Sequence, residues 1–398
     1  MKVAGGFHLT YCSNIHPGES WQAVSEALSV SLPRVRRHLH ADGPLAIGLR
    51  LSALAAETLD TPAAFEAFRE FLREGNYYVP TMNGFPYGAF HGGRVKERVY
   101  LPDWRDQARV DYSNRLARLL AALLTGQPEI DGSVSTVPGA FGPSIRSGSD
   151  VEAVASGILR HAAFLRSLRE TTGVAIVLAL EPEPACLLET VGDVTAFFED
   201  SLFDRHAVSA ASAATRMPLT IDDVRRHVGV CLDACHLAVE FEDPAAALRR
   251  LGAAGIRIAK VQISSALEVD VDRGERRTAL LPFAEDTYLH QVVERTPAGL
   301  ARFTDLPEAL AAAGASGSAP DVWRIHFHVP VFLSSAGPFK TTQPVIVALI
   351  DLLKRDPVCR CLEVETYTWD VLPPDLRTGD VCAAIARELT WVRSALES

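Results

Sequence analysis

The stretch VAIVLALEPEP, residues 174–184, decides the reading of the fold. Seven apolar residues run straight into Glu181 and Glu183, and a proline follows each glutamate. A short apolar run rich in β-branched residues reads as a strand buried on both faces, as in parallel sheets. The prolines end it, because proline has no N–H to give a ladder. Acids placed directly after such a strand belong at the mouth of an α/β sheet. A solvated pair of loop glutamates is the plainer alternative.

Working outward, the same unit recurs. Strand-like runs fall at residues 6–12, 45–51, 77–82, 132–138, 174–181, 228–232, 256–264, 323–329 and 358–365. Helical stretches at 21–38, after 61, at 104–124 and at 150–172 alternate with them. This alternation predicts βα units and a parallel sheet, closed as a (β/α)8 TIM barrel that forms a single domain over residues 1–398. Nine strands are one too many for such a barrel. The surplus is assigned to residues 267–339, read as an insertion or lid after the seventh strand. Within it, the Gly/Ala/Ser/Pro run at 313–320 reads as a linker. The alternative makes 323–329 the seventh barrel strand and 256–264 peripheral, and both remain open.

Bulk properties narrow the function. With 48% hydrophobic residues a large core is available, and a formal net charge of −10 argues against a nucleic-acid partner. The basic cluster at residues 34–37 is isolated and reads as a solvated helix face. No run approaches the ~20 apolar residues that span a bilayer. The start, MKVAGGFHLTYC, lacks an apolar signal core, so a cytoplasmic enzyme with a small substrate is expected. The seven cysteines are odd in number and lack zinc-finger spacing, so they read as reduced core residues.

Chemistry-bearing residues then gather at strand ends. In CLDACH, residues 231–236, Asp233 follows an apolar run and His236 lies three residues on. One carboxylate and one imidazole so placed suit a cation, although an N-cap aspartate is the plainer reading. Lys260, Gln262 and Ser264 share a parity, and Gln262 reads as a weak ligand, a substrate contact or a buried amide serving the backbone. In WRIHFHVPVF, residues 323–332, His326 and His328 fall on one face of a strand. In LEVETYTW, residues 362–369, Glu363 and Glu365 share parity, and Glu365 is nearer the end.

Together Glu181, Asp233 and Glu365, completed by His236, His326, His328 or Gln262, predict one divalent cation: Mn2+, Zn2+, Mg2+ or Co2+. The expected substrate contacts are His8, Tyr11, Asn14, Arg50, Asn83, Lys96, Trp104 and Lys260. Trp104 reads equally as helix packing. The loop after Asn83 carries His91, Lys96 and Tyr100 and can close over the mouth. Polar groups and aromatics at a barrel rim suit a sugar-like or polyol ligand.

The order of these residues resembles the xylose-isomerase-like TIM-barrel superfamily. That group holds ketose epimerases, sugar isomerases, inosose dehydratases and DNA-repair enzymes of the endonuclease IV type. More narrowly, LTYCSNIHPGESW, TMNGFPYGAF, LALEPEP, CLDACH, HFHVPVF and LEVETYTW are similar to the EboE-type metabolite traffic proteins, over nearly the whole chain. The resemblance implies Glu181, Asp233 and Glu365 as metal ligands and His236 as a substrate-proximal histidine; the positions of Glu181 and Glu365 on strands across the mouth suggest an acid/base pair. A histidine on strand seven lacks a certain counterpart. Gln262 takes its place if 256–264 is the strand, and His326 or His328 if 323–329 is.

Three functions compete. The first is a metal-dependent isomerase or epimerase of a sugar or cyclic polyol, in secondary-metabolite biosynthesis or traffic. The second is a metal-dependent hydrolase or phosphodiesterase, drawing on His91, His236, His326 and His328. The third is a non-catalytic metabolite carrier. One cation per chain favours the first, and two or three favour the second.

Overall fold

The computed structural model describes residues 1–127, 129–270, 278–312, 322–377 and 379–398; the 313–320 run lies outside the described residues. Its strands are β1 (His8–Tyr11), β2 (Leu45–Arg50), β3 (Tyr77–Asn83), β4 (Gly132–Thr136), β5 (Ile176–Leu180), β6 (Val228–Asp233) and β7 (Arg257–Ile263). Then come β8 (Ser265–Val269), β9 (Val292–Thr296), β10 (Gly299–Phe303), β11 (Val322–Val329), β12 (Ser335–Ala336), β13 (Phe339–Thr341) and β14 (Cys361–Val364).

Eight of them form one parallel sheet in the order β1-β14-β7-β6-β5-β4-β3-β2. A parallel bridge between Cys12 and Gly48 brings its two edges together, so the sheet is the expected (β/α)8 barrel. Residues of β5 and β6 are buried without exception, as strands covered on one side by helices and on the other by a filled interior must be. Gly48 makes the closure possible. A Cβ there would lie 1.6 Å from Glu363 Oε2 and 2.9 Å from the Tyr11 carbonyl oxygen.

The helices begin where side chains can cap them. Ser20 accepts from the Ala23 N–H at the start of Trp21–Leu39. Ser147 and Asp150 form a capping box on Gly148–Thr172, which ends on Gly173 at φ 74°. The expected helix at 104–124 spans Gln107–Leu123, so Trp104 precedes it.

Parallel pairing of β7 with both β6 and β14 makes residues 257–263 the seventh barrel strand. Strand β11 lies elsewhere, in a second sheet ordered β10-β9-β11-β8-β13-β12 and inserted between β7 and β14. Along β11 the residues Trp323, Ile325, Phe327 and Val329 enter a separate apolar core with Leu267, Val292, Phe283 and Phe339. The period of two turns His326 and His328 the other way.

Candidate metal centre

Three barrel elements deliver the carboxylates. Glu181 follows β5, Asp233 ends β6 and Glu365 follows β14, and each offers an oxygen within 4.8 Å of the other two. All three are at most 4% exposed. Asp233 Oδ1 caps the short helix Ala234–Val239, accepting from the His236 N–H at 2.9 Å and from Ser264 Oγ at 2.7 Å. Its Oδ2, like Glu181 Oε2, has no hydrogen-bond partner among the described residues. Asp233 is therefore both an N-cap and a free carboxylate oxygen.

Glu365 is held from both sides. Asn14 Nδ2 and Asn83 Nδ2 donate to Oε1 at 2.8 and 3.2 Å, and Gln262 Nε2 donates to Oε2 at 2.6 Å. Burial, with Asp233 and then Glu363 nearby, pushes its carboxyl up to about 8. Burial lifts Glu181 well above the carboxylate range, with Glu365 and Asp233 adding to it. The nearest ammonium is already engaged: Lys260 Nζ lies 2.5 Å from Glu363 Oε1, deeper in the barrel, and donates to Ser135 Oγ at 3.1 Å.

Beside the carboxylates stand three imidazoles. Each has an oxygen at Nδ1: Pro182 O for His236 at 2.8 Å, Gln291 Oε1 for His326 at 2.7 Å, and Glu365 O for His328 at 2.9 Å. The Nε2 atoms turn inward, 3.2 Å apart between His236 and His326 and 3.3 Å between His326 and His328. Burial and the neighbouring rings hold His326 well below its usual value, and burial holds His328 down to about 4. Glu183, which sequence reading left undecided, joins the wall. Its Oε1 accepts from the Tyr100 hydroxyl at 2.8 Å and from Gln291 Nε2 at 3.2 Å, and burial raises its carboxyl.

A cavity opens onto these groups. Asn14, Asn83, Glu181, Glu183, His236, His326 and Glu365 line its floor, and Phe85, Phe90, Val99, Tyr100, Tyr288 and Tyr367 line its walls. Residues 95 and 96 tie the loop after Asn83 to the insertion, because both N–H groups donate to Thr287 O at 2.8 and 2.9 Å.

The predicted site residues thus divide. Asn14, Asn83 and Lys96 face the cavity. The Lys96 ammonium, however, is pinned to Asp305 Oδ2 at 2.7 Å. His8 does not reach the mouth: it begins β1, so it lies at the opposite end of the barrel, with Nδ1 2.9 Å from the Tyr78 hydroxyl. Tyr11 shares the outward parity of its strand partner Val364 and packs in the main core. Arg50 is occupied at the rim by Glu19, at 3.1 and 3.2 Å. Trp104 is fully buried against the helix that carries Gly157, whose Cβ would lie 2.0 Å from the Trp104 carbonyl oxygen. Lys260 serves Glu363 below the floor. Gln262 acts through its amide on Glu365, while its Oε1 accepts from Cys231 Sγ at 2.8 Å.

Gln291 and Tyr288 carry no signal of their own in the sequence. They precede β9 in the insertion and become visible only when the second sheet folds over the mouth.

No protein-family model matches this chain, and no curated protein matches it significantly. Solved structures do. A xylose-isomerase-like TIM barrel protein from Mycobacterium smegmatis, in complex with magnesium, aligns over 100% of this chain and 98% of its own at 11% identity and a TM-score of 0.51. The fold is that of the xylose-isomerase-like TIM barrels. A D-tagatose 3-epimerase-like protein aligns over 98% and 97% at 12% identity, TM-score 0.48. The IOLI protein with a bound zinc atom aligns over 98% of each chain at 13% identity, TM-score 0.44. At these identities the xylose-isomerase-like barrel identifies architecture alone, and the chemistry rests on this chain's own residues.

Proposed function

We propose that this chain is a divalent-cation-dependent isomerase or epimerase acting on a sugar-like or cyclic-polyol substrate. One observation carries the reading: three buried carboxylates meet within 4.8 Å at the end of a barrel where the nearby ammonium groups of Lys260 and Lys96 are already paired. Such a grouping of like charges is costly unless protons or a cation offset it. The free oxygens of Glu181 and Asp233 fit a hard or borderline divalent cation, and Glu181, Asp233 and Glu365 would hold it.

Such a cation supplies polarisation of a substrate carbonyl and acidifies the adjacent C–H. The protein's own groups do the rest. Glu181 faces the cavity and takes a proton from the carbon through the carboxylate oxygen that the cation leaves free. Glu365 is oriented by Asn14, Asn83 and Gln262 as the acid of the pair. Asn14 and Asn83 also present amide groups to substrate hydroxyls. Phe85, Phe90, Tyr100, Tyr288 and Tyr367 exclude water around the reacting carbon. The similarity to EboE-type proteins adds the expectation that the substrate belongs to secondary metabolism.

The test is incubation with ketoses, inososes and their phosphates in D2O with Mn2+, read by NMR. Deuterium entering at one carbon, and lost in Glu365→Gln, is the expected result. Hydrolysis products without deuterium uptake would replace this reading with the hydrolytic one, which the three histidines beside the carboxylates favour.

A further inference from the structure

The histidine cluster has a feature that acid/base chemistry at the carboxylates does not use. Each Nδ1 faces an oxygen that can only accept. Pro182 O and Glu365 O are backbone carbonyls. Gln291 Oε1 is fixed as an oxygen because the same amide donates from Nε2 to Pro184 O at 3.1 Å and to Glu183 Oε1 at 3.2 Å. A neutral ring so held carries its proton on Nδ1 and a bare lone pair on Nε2. Two such lone pairs facing each other at 3.2 or 3.3 Å repel.

A cation removes the conflict. Nitrogens bonded at ~2.0–2.1 Å in a tetrahedral site stand about 3.3–3.4 Å apart, the spacing found here to within about 0.2 Å. His236 and His328 each place a ring nitrogen within 4.8 Å of the other and of an Asp233 oxygen. Asp233 also belongs to the carboxylate group with Glu181 and Glu365. The rings come from two parts of the fold: His236 from the helix after β6, His326 and His328 from β11 in the insertion. Their oxygen partners fix ring orientation as outer partners of metal-bound histidines do.

We propose that His236, His326 and His328 form a second cation site, selective for Zn2+ or a similarly borderline cation, next to the carboxylate site and sharing Asp233 with it. Three neutral imidazoles suit such an ion better than Mg2+ or Ca2+, which prefer oxygen. The second sheet is then more than a cover. It contributes two of the three nitrogens, and binding of the ion clamps it to the barrel.

Apart from Asp233 the proposal rests on different side chains from the carboxylate reading, so the two can fail separately. The full-length chain is stripped with chelator and titrated with Zn2+ and with Co2+ in parallel with His326→Ala, His328→Gln and Glu181→Gln. Circular dichroism establishes that each variant is folded. Two ions per wild-type chain are expected, falling to one in each variant. The intense visible absorption of tetrahedral Co2+ should persist in Glu181→Gln and vanish in the histidine variants. X-ray absorption of wild-type protein loaded with one equivalent of Zn2+ should show three imidazole nitrogens at ~2.0 Å and needs no variant. A single ion lost in Glu181→Gln but retained in both histidine variants, with an oxygen-dominated shell, overturns this proposal and leaves the carboxylate reading intact. A single ion with the reverse pattern overturns the carboxylate site and supports this one. Binding of no ion overturns both. A count of two also moves the comparison of functions towards hydrolysis, which the deuterium experiment decides independently.

Discussion

Gln291 Oε1 accepts the Nδ1–H of His326 at 2.7 Å while Gln291 Nε2 donates to Glu183 Oε1 at 3.2 Å, so one amide ties the insertion's histidine to the barrel's glutamate. The amide decides which nitrogen of His326 faces inward. Gln291→Leu deletes both bonds and leaves Glu183 with fewer donors in a buried place. Weakening of Zn2+ binding by about 10- to 100-fold is expected, the usual effect of losing an outer partner of a bound histidine. Competition against a chromophoric chelator measures it. Unchanged affinity would mean that packing alone orients the ring.

Asp233 is predicted to matter to the cation more than to the fold. Asp233→Asn keeps an Oδ1 to cap the Ala234–Val239 helix and removes one of three crowded carboxyl groups. Without metal, the variant should unfold at the wild-type temperature or above it. Added Zn2+ or Mn2+ should raise wild-type Tm by binding the native state alone and raise that of the variant little. Thermal scans with and without metal make the comparison. A metal-free variant that unfolds well below wild type would assign Asp233 a structural role instead.

Gly48 is a purely steric prediction. A methyl group at this position would meet Glu363 Oε2 at 1.6 Å inside a filled barrel, and Glu363 is held by Lys260. Gly48→Ala should therefore destabilise the protein by ~3 kcal/mol or more, as overpacking beside a buried ion pair does. Denaturant unfolding against wild type checks this. A loss under ~1 kcal/mol would show that the pair can shift aside.

The candidate site is legible in the sequence where apolar runs expose their own ends. Glu181, Asp233 and Glu365 each follow such a run, and the parallel sheet carries all three ends to one rim. His326 and His328 were marked by their period of two. What misled was direction and parity. His8 begins its strand, and in a parallel barrel a first residue lies at the opposite end from the mouth. Tyr11 stands on the outward parity, with Val364. Gln291 and Tyr288 were beyond reading, since they enter the site through antiparallel pairing of β9 with β11, about thirty residues away in sequence. Local pattern records which residues share a strand face; it does not record which sheet comes to cover which rim.

The last prediction concerns pH and lies outside the cation sites. Glu388, on the C-terminal helix Val381–Glu397, is 2% exposed. Its Oε1 accepts from the Val331 N–H at 3.0 Å and from Thr366 Oγ1 at 2.7 Å. Burial pushes its carboxyl up to about 7, and these two donors offset that only in part. The sign follows from proton linkage. Between the ordinary value of 4.5 and about 7 the folded protein holds a proton that the unfolded chain has released. The group's contribution is fully favourable below about 4.5 and is lost as the pH rises towards 7, after which it changes no further. Glu388→Gln keeps an oxygen for both donors and removes the titration. The variant should match wild type near pH 4.5, become the more stable of the two as the pH rises, and hold a constant advantage above pH 7.5. Thermal unfolding of metal-free protein across that range gives the difference, in which the other buried carboxyls cancel. A difference that stays flat with pH would show that Glu388 is charged in the folded protein throughout.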